Sequence, residues 1–173
     1  MGARNIIVRR NVLFNYQGSF GANFIQFGDD GDPDYEAEDC MVENNLLIGN
    51  SAIPMRTPFG VKGCRNITFR HDTIVGDTPS AEFAMRLNRE GLTKQVNNIL
   101  FYNNVWSDPT GTMDRFSATS ASDILSFALE NNAYWNDGLP IPTNIGPNAY
   151  NDLINYTDDP YSILGDPRLG LHA

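Results

Sequence analysis

Long apolar runs are missing from this sequence. No stretch of 18 apolar residues occurs, so no segment is expected to cross a bilayer as a helix. Charge is scarce and of one sign: 19% of residues are charged, 12 Lys and Arg stand against 21 Asp and Glu, and the net charge is −9. That balance argues against nucleic acid or an anionic membrane as partner. Only two cysteines occur, Cys40 and Cys64, and they leave the redox compartment undecided. At 173 residues the chain is expected to be one domain with a real core.

What is present is a repeat. Its clearest copy is Asn98-Ile99-Leu100-Phe101-Tyr102-Asn103-Asn104-Val105-Trp106. With the second residue of each Asn doublet as origin, equivalent positions are Asn11, Asn45, Asp72, Asn104 and Asn132, separated by 34, 27, 32 and 28 residues. Two places later come Leu13, Leu47, Ile74, Trp106 and Tyr134. Three places earlier come Val8, Val42, Phe69, Phe101 and Leu129; five places earlier come Ile6, Cys40, Ile67, Ile99 and Phe127. All three flanking columns are apolar, and the two before the Asn keep the strand period. A fixed pattern at variable spacing describes strands joined by loops of different length, which is how solenoids are built.

The physical reading is a coil whose turns pair as parallel strands roughly 4.8 Å apart, so that columns of letters become walls in space. Asn suits a bend because it tolerates the left-handed backbone. Stacked side-chain amides donate to one turn and accept from the next. The ladder Asn11, Asn45, Asp72, Asn104, Asn132 is expected to be altered at Asp72, which lacks the amide donor. Cys40 falls in an apolar column and reads as a small buried hydrophobe. Cys64 reads as a loop residue, and a bond between the two stays open.

At this point the runs Asn5–Asn15, Asp39–Asn50, Asn66–Asp77, Asn98–Asp108 and Leu125–Asp137 resemble the parallel β-helix repeat of the pectate-lyase-like superfamily. Asn131-Asn132-Ala133-Tyr134-Trp135-Asn136 and Ser162-Ile163-Leu164-Gly165-Asp166-Pro167 are similar to the closing segment of many secreted bacterial β-helix proteins. The resemblance implies an all-β, right-handed parallel β-helix of about five turns. Residues 1–137 would be helix turns and 138–173 an irregular C-terminal cap of the same domain. It also implies an extracellular or periplasmic location. No leader precedes the first repeat, so a mature chain or a piece of something longer is expected. The resemblance singles out no activity, because this fold hosts lyases, hydrolases, esterases, epimerases and inert spikes.

Each turn needs a third strand, and Phe24–Phe27, Ile53–Thr57, Phe83–Asn88 and Arg115–Ala118 are the candidates. Counting forward to the next apolar column puts Gln26, Arg56, Arg86 and Arg115 in one outward row. Such a row is either a solvated face with its arginines paired to acids, or a track for an acidic polysaccharide whose carboxylates arginine clamps bidentately. The loop Gly28–Asp39 alternates Asp30, Asp32, Asp34 and Glu36, hard oxygen ligands at a spacing that suits Ca²⁺. Tyr35 and Met41 break the EF-hand pattern, and a solvated acidic loop is the other reading. In lyases of the resembled superfamily Ca²⁺ neutralises a uronate. His71 reads as a surface turn residue, with a general base as the alternative. Trp106 and Tyr134 are expected in the core, Tyr102 and Trp135 outside.

The lyase arginine motif is missing: Arg56-Thr57-Pro58-Phe59-Gly60-Val61 begins like it and carries Val61 where a second Arg belongs. The polygalacturonase and pectin-methylesterase motifs are missing as well. Catalytic residues are therefore not assigned. Pro140, Pro142, Gly146 and Pro147 interrupt the repeat, and the tail is expected to fold over the last turn, since an open coil end is an unpaired edge. The N-terminal end shows no such cap and is expected to be exposed, self-associated or covered by other residues. Three readings follow. They are a carbohydrate-active or carbohydrate-binding β-helix, a non-catalytic scaffold, and a fragment of a larger polysaccharide lyase or hydrolase.

Overall fold

The computed structural model describes residues 2–19, 22–29, 31–49, 51–53, 55–77, 84–113, 115–143 and 153–169. The first coil contributes β1 (Ala3–Arg4), β2 (Ile7–Arg9), β3 (Val12–Leu13) and β4 (Asn23–Phe27). The second contributes β5 (Ala37–Glu43), β6 (Leu46–Ile48) and β7 (Thr57–Lys62), the third β8 (Arg65–Arg70), β9 (Thr73–Val75) and β10 (Met85–Asn88). β11 (Asn97–Tyr102), β12 (Val105–Asp108) and β13 (Ser117–Thr119) make the fourth; β14 (Phe127–Glu130) and β15 (Ala133–Asn136) belong to the fifth, and β16 (Ile163–Leu164) starts another.

Like strands stack into three sheets. Sheet A runs β1 and β2, end to end, against β5, then β8, β11 and β14. Sheet B runs β3-β6-β9-β12-β15-β16, and sheet C β4-β7-β10-β13. Every pairing is parallel, so this is a parallel β-solenoid of about five turns. Its register reproduces the columns: Val8, Val42, Phe69, Phe101 and Leu129 lie opposite one another in series. Phe69 stacks on Phe101 with centroids 4.5 Å apart and planes 6° from parallel, and Trp106 stacks on Tyr134 at 5.4 Å. Each such pair adds about 0.5–1.5 kcal/mol beyond the area it buries.

The bend between sheets A and B differs from expectation in one respect. The left-handed residue is the one before each ladder position: Arg10, Asn44, His71, Asn103 and Asn131 all have φ between 55° and 57°. The turn thus needs a left-handed residue, and the ladder side chain next to it is free to point inward. A second left-handed column, Asn5, Asp39, Asn66 and Asn98, divides β1 from β2 and kinks β5, β8 and β11 near their starts.

The ladder itself is directional. Each Asn rung donates its backbone N–H and its amide to the side-chain oxygen of the next, as Asn11 does to Asn45 at 3.0 and 2.9 Å and Asn104 to Asn132 at 3.0 and 3.0 Å, whereas Asp72 donates its backbone N–H alone. The same amide also reaches back to a carbonyl of the preceding turn, Val8 O from Asn45, Phe69 O from Asn104 and Phe101 O from Asn132. The tail adds a sixth rung. Asp159 accepts the N–H of Asn131 at 2.9 Å and both the N–H and Nδ2 of Asn132 at 2.8 Å.

Sheet C shifts one predicted strand. The strand read at Ile53–Thr57 begins instead at Thr57 and runs to Lys62, because pairing on both sides overrides the breakers Pro58 and Gly60. Gly60 is required there, since a Cβ would overlap the Asn23 side chain. The third candidate lies at Met85–Asn88, Phe83 being outside the described residues, and the fourth shortens to Ser117–Thr119. Cys64 lies in a loop as expected, the two-residue link from β7 to β8, and has no exposed surface. Both cysteines are free thiols, donating to the carbonyls of Glu38 and Lys62. Burial pushes the Cys64 thiol up to about 12.

Where turn two has that short link, its neighbours have long ones. The loops following β4 and β10 meet above it, with Leu92 N–H donating to Gly31 O at 2.9 Å. Gly91, at φ 57°, lies against Gly31. Beneath them the buried Lys62 ammonium pairs with Asp29 and, at 2.5 Å, with Glu90.

The two coil ends differ. Ile154 is fully buried in the core and Tyr156 packs edge-on to Phe116 at 6.3 Å, closing the C-terminal end. At the other end Ile6 is 42% and Val12 59% exposed, and among the described residues nothing pairs with the leading edges of β1 to β4.

Candidate functional site

The kink in sheet A breaks the simple in-and-out alternation and leaves Arg4 and Arg65 exposed on either side of Glu38. Arg4 pairs with one oxygen of Glu38 at 2.5 Å and Arg65 with the other. Five residues further along, the row Arg9, Glu43, Arg70, Tyr102, Glu130 repeats the alternation. Arg70 donates Nε and Nη2 to Glu43 at 2.8 and 2.7 Å and Nη1 to the Tyr102 hydroxyl at 2.8 Å. Those bonds, Tyr102's first and Glu43's second, hold the guanidinium above its ordinary range.

Between the rows lies an open hollow of about 470 Å³ across four turns. Ile7, Met41 and Thr68 form its apolar side; Asn5, Asp39, Asn66 and Asn98 form the polar one. The polar column is hydrogen-bonded in series, Asn66 Nδ2 to Asp39 Oδ1 at 2.8 Å and Asn98 Nδ2 to Asn66 Oδ1 at 2.9 Å. An extended ligand laid along the coil would meet amides at Asn5, Asn66 and Asn98 and a carboxylate at Asp39, at inter-strand steps of roughly 4.8 Å. His71 borders this face, edge-on to Tyr102 at 5.6 Å and 3.3 Å from Asn103 Nδ2.

The residues singled out on sheet C do not form one row. Register aligns Gln26, Gly60, Arg86 and Ala118. Arg56 lies four residues ahead of Gly60, its N–H bonded to Ala22 O, and Arg115 three ahead of Ala118. Gln26 turns its amide onto Gly28 O at 3.1 Å, and Arg86 Nε is buried without a hydrogen-bond partner.

Gln26 also borders a second hollow, about 580 Å³, lined by Asp29, Asp32, Asp34, Tyr35 and Glu36. Glu36 is turned onto its own loop, accepting Gly31 N–H at 2.6 Å and Asp29 N–H. The hydrogen bond from Lys62 holds the Asp29 carboxyl below its usual range. Asp30 lies outside the described residues, and among those described no three His, Cys, Asp or Glu side chains converge on a point. Tyr35 also carries Arg65 over its ring at 4.8 Å and Lys94 at 5.6 Å.

Sequence reasoning missed the arginine rows of sheet A, although they occupy the same repeat positions, seven and two residues before the ladder. Following polar columns as closely as apolar ones would have found them. Compared with known proteins, the chain matches no family model, no curated protein and no solved structure.

Proposed function

We propose that this β-solenoid recognises an acidic polysaccharide laid along the outward face of sheet A. One observation carries the reading: in a chain of net charge −9, Arg4, Arg9, Arg65 and Arg70 stand in two rows beside a hollow lined by the amides of Asn5, Asn66 and Asn98, with Asp39 as its one carboxylate. Arginine forks match carboxylates, side-chain amides match hydroxyls, and an apolar strip suits the C–H faces of sugar rings. The resemblance of the repeat to the pectate-lyase-like superfamily adds support. Sheet C is the weaker choice, because its row offers one arginine, Arg86, beside Asp29, Asp32 and Asp34, whereas sheet A offers four arginines beside Glu38, Glu43 and Asp39.

The test is binding of polygalacturonate and alginate against neutral dextran, with absorbance followed for unsaturated uronate. Saturable, salt-sensitive binding to the acidic polymers is expected, falling about tenfold or more in Arg65→Ala/Arg70→Ala, as loss of about 1.4 kcal/mol gives. Binding abolished by Arg86→Ala and untouched by the double variant would move the site to sheet C. Equal affinity for dextran would sink the reading. A scaffold role is the second reading, favoured by the pairing of each of these arginines with Glu38 or Glu43.

A further inference from the structure

Taking sheet A as the polysaccharide face, on which this inference rests, we propose that its polymer carries an acid on every second sugar, and that Asp39 enforces this spacing. Charge on that face is sorted by turn. β1 and β2 contribute Arg4 and Arg9; β5 contributes Glu38, Asp39 and Glu43. β8 contributes Arg65 and Arg70, and β11 carries no charge. Register sets the acidic turn directly between the two basic ones.

The three acids differ in what they face. Each glutamate is shared, Glu38 between Arg4 and Arg65 and Glu43 between Arg70 and, at 4.0 Å, Arg9, so both rows keep one positive charge in excess. The glutamate side chains are only 7% and 12% exposed, their arginines 33% to 63%. Asp39 is exposed, lines the hollow and pairs with no arginine among the described residues. Its Oδ1 accepts Asn66 Nδ2 at 2.8 Å, and among those residues nothing donates to its Oδ2. The same column holds Asn5, Asn66 and Asn98, all left-handed like Asp39. Neither the backbone nor the hydrogen-bonded series therefore requires a carboxylate there.

The basic turns lie two inter-strand steps apart, roughly 9.6 Å, and a pyranose ring in an extended chain is about as long as one step. Sugars seated over successive turns thus meet arginine, acid, arginine, and then the uncharged Asn98 and Tyr102. Carboxylates over the first and third turns face guanidinium forks. One over the second faces Asp39, a like-charge contact of the kind that rejects wrong partners. A hydroxyl or acetamido N–H in that place donates to Asp39 Oδ2 instead. The substrate class is a chain in which uronate alternates with a neutral or N-acetylated sugar, as distinct from an unbroken polyuronate.

The probes are hyaluronan, which alternates glucuronate with N-acetylglucosamine, and polygalacturonate, which has a carboxylate on every sugar. Oligosaccharides of equal length are titrated into the whole protein by calorimetry at fixed salt. Wild type is expected to bind the hyaluronan chain about tenfold tighter or more. Asp39→Asn keeps the Oδ1 acceptor and the residue type of its column, so Tm should hold. It is expected to tighten polygalacturonate about tenfold and to leave hyaluronan within about threefold. Asp166→Asn, an exposed position beyond β16 of sheet B, removes the same net charge and should change neither affinity. Equal wild-type affinities, or an Asp39→Asn protein that binds both polymers more tightly by the same factor, overturn the proposal and leave the acidic-polysaccharide reading standing. Failure of both polymers to bind overturns the two together.

Discussion

Two carboxylates occupy one ladder and fare differently. Asp159 ends the column, where only acceptors are wanted. Its oxygens take the N–H groups of Asn131, Asn132 and Tyr161 and the Asn132 amide. Asp72 sits in the middle, where a rung must accept and donate. Its Oδ1 takes the N–H and amide of Asn45 at 2.8 Å, while its Oδ2 is buried without a partner. At the equivalent place each internal Asn holds an amide that bonds a carbonyl of the previous turn. A ladder position is thus defined by its place in the sequence of donors, and the same side chain is suited to one rung and unsuited to another.

The largest expected effect comes from emptying an interior rung. Asn104→Leu leaves Asp72 N–H without its acceptor at 3.0 Å and takes a donor from Phe69 O and Asn132 Oδ1. At about 1–3 kcal/mol for each buried group left unpaired, denaturant unfolding should show a loss of about 4 kcal/mol. Retention of wild-type stability would mean that the column contributes nothing.

Next comes Asp72→Asn, which restores the missing donor and should stabilise by about 2 kcal/mol at pH 8. Its pH dependence sharpens the comparison. Burial raises the Asp72 carboxyl from 3.8 to about 6, with Glu43's charge adding and hydrogen bonds from Asn45 opposing. The folded state therefore prefers the protonated form. That contribution is complete below about pH 4 and is lost as pH rises through 6, so wild type should lose stability relative to Asp72→Asn over that window. Parallel stability–pH curves for the two proteins would refute it.

The smallest effect is expected at the end rung. Asp159→Asn keeps one acceptor and turns a donor toward N–H groups, costing about 1 kcal/mol. Because Asp159 needs no donor, this substitution should destabilise while the same exchange at Asp72 stabilises. Opposite signs are the outcome to look for, by thermal unfolding of both variants side by side.

Much of this architecture was readable beforehand, because identical turns must repeat identical contacts. Phe69 and Phe101, 32 residues apart, declare that they touch. The sixth rung hid because Pro160–Ser162 separate Asp159 from β16, whereas Asn132 abuts β15 directly. The row on sheet C was misjudged because links from sheet C to sheet A hold nine, two, eight and seven residues in succession. Counting back across them assumed a constant length. Arg56 and Arg115 were carried into that row by this error, and Gly60 and Ala118 occupy the places instead. Asp32 and Asp34 were legible as an acidic loop, but Glu36's commitment to the amides of Asp29 and Gly31 depends on how the loop folds back.

The clasp over turn two has a mechanical consequence. A spiral held only by contacts between adjacent coils would peel from its bare end one coil at a time. Here Leu92 grips Gly31 across the intervening coil, and Lys62 rivets the same two loops from below. Lifting the first coil therefore also breaks contacts with the loop that follows the third, which couples fraying of one coil to a loop two coils on.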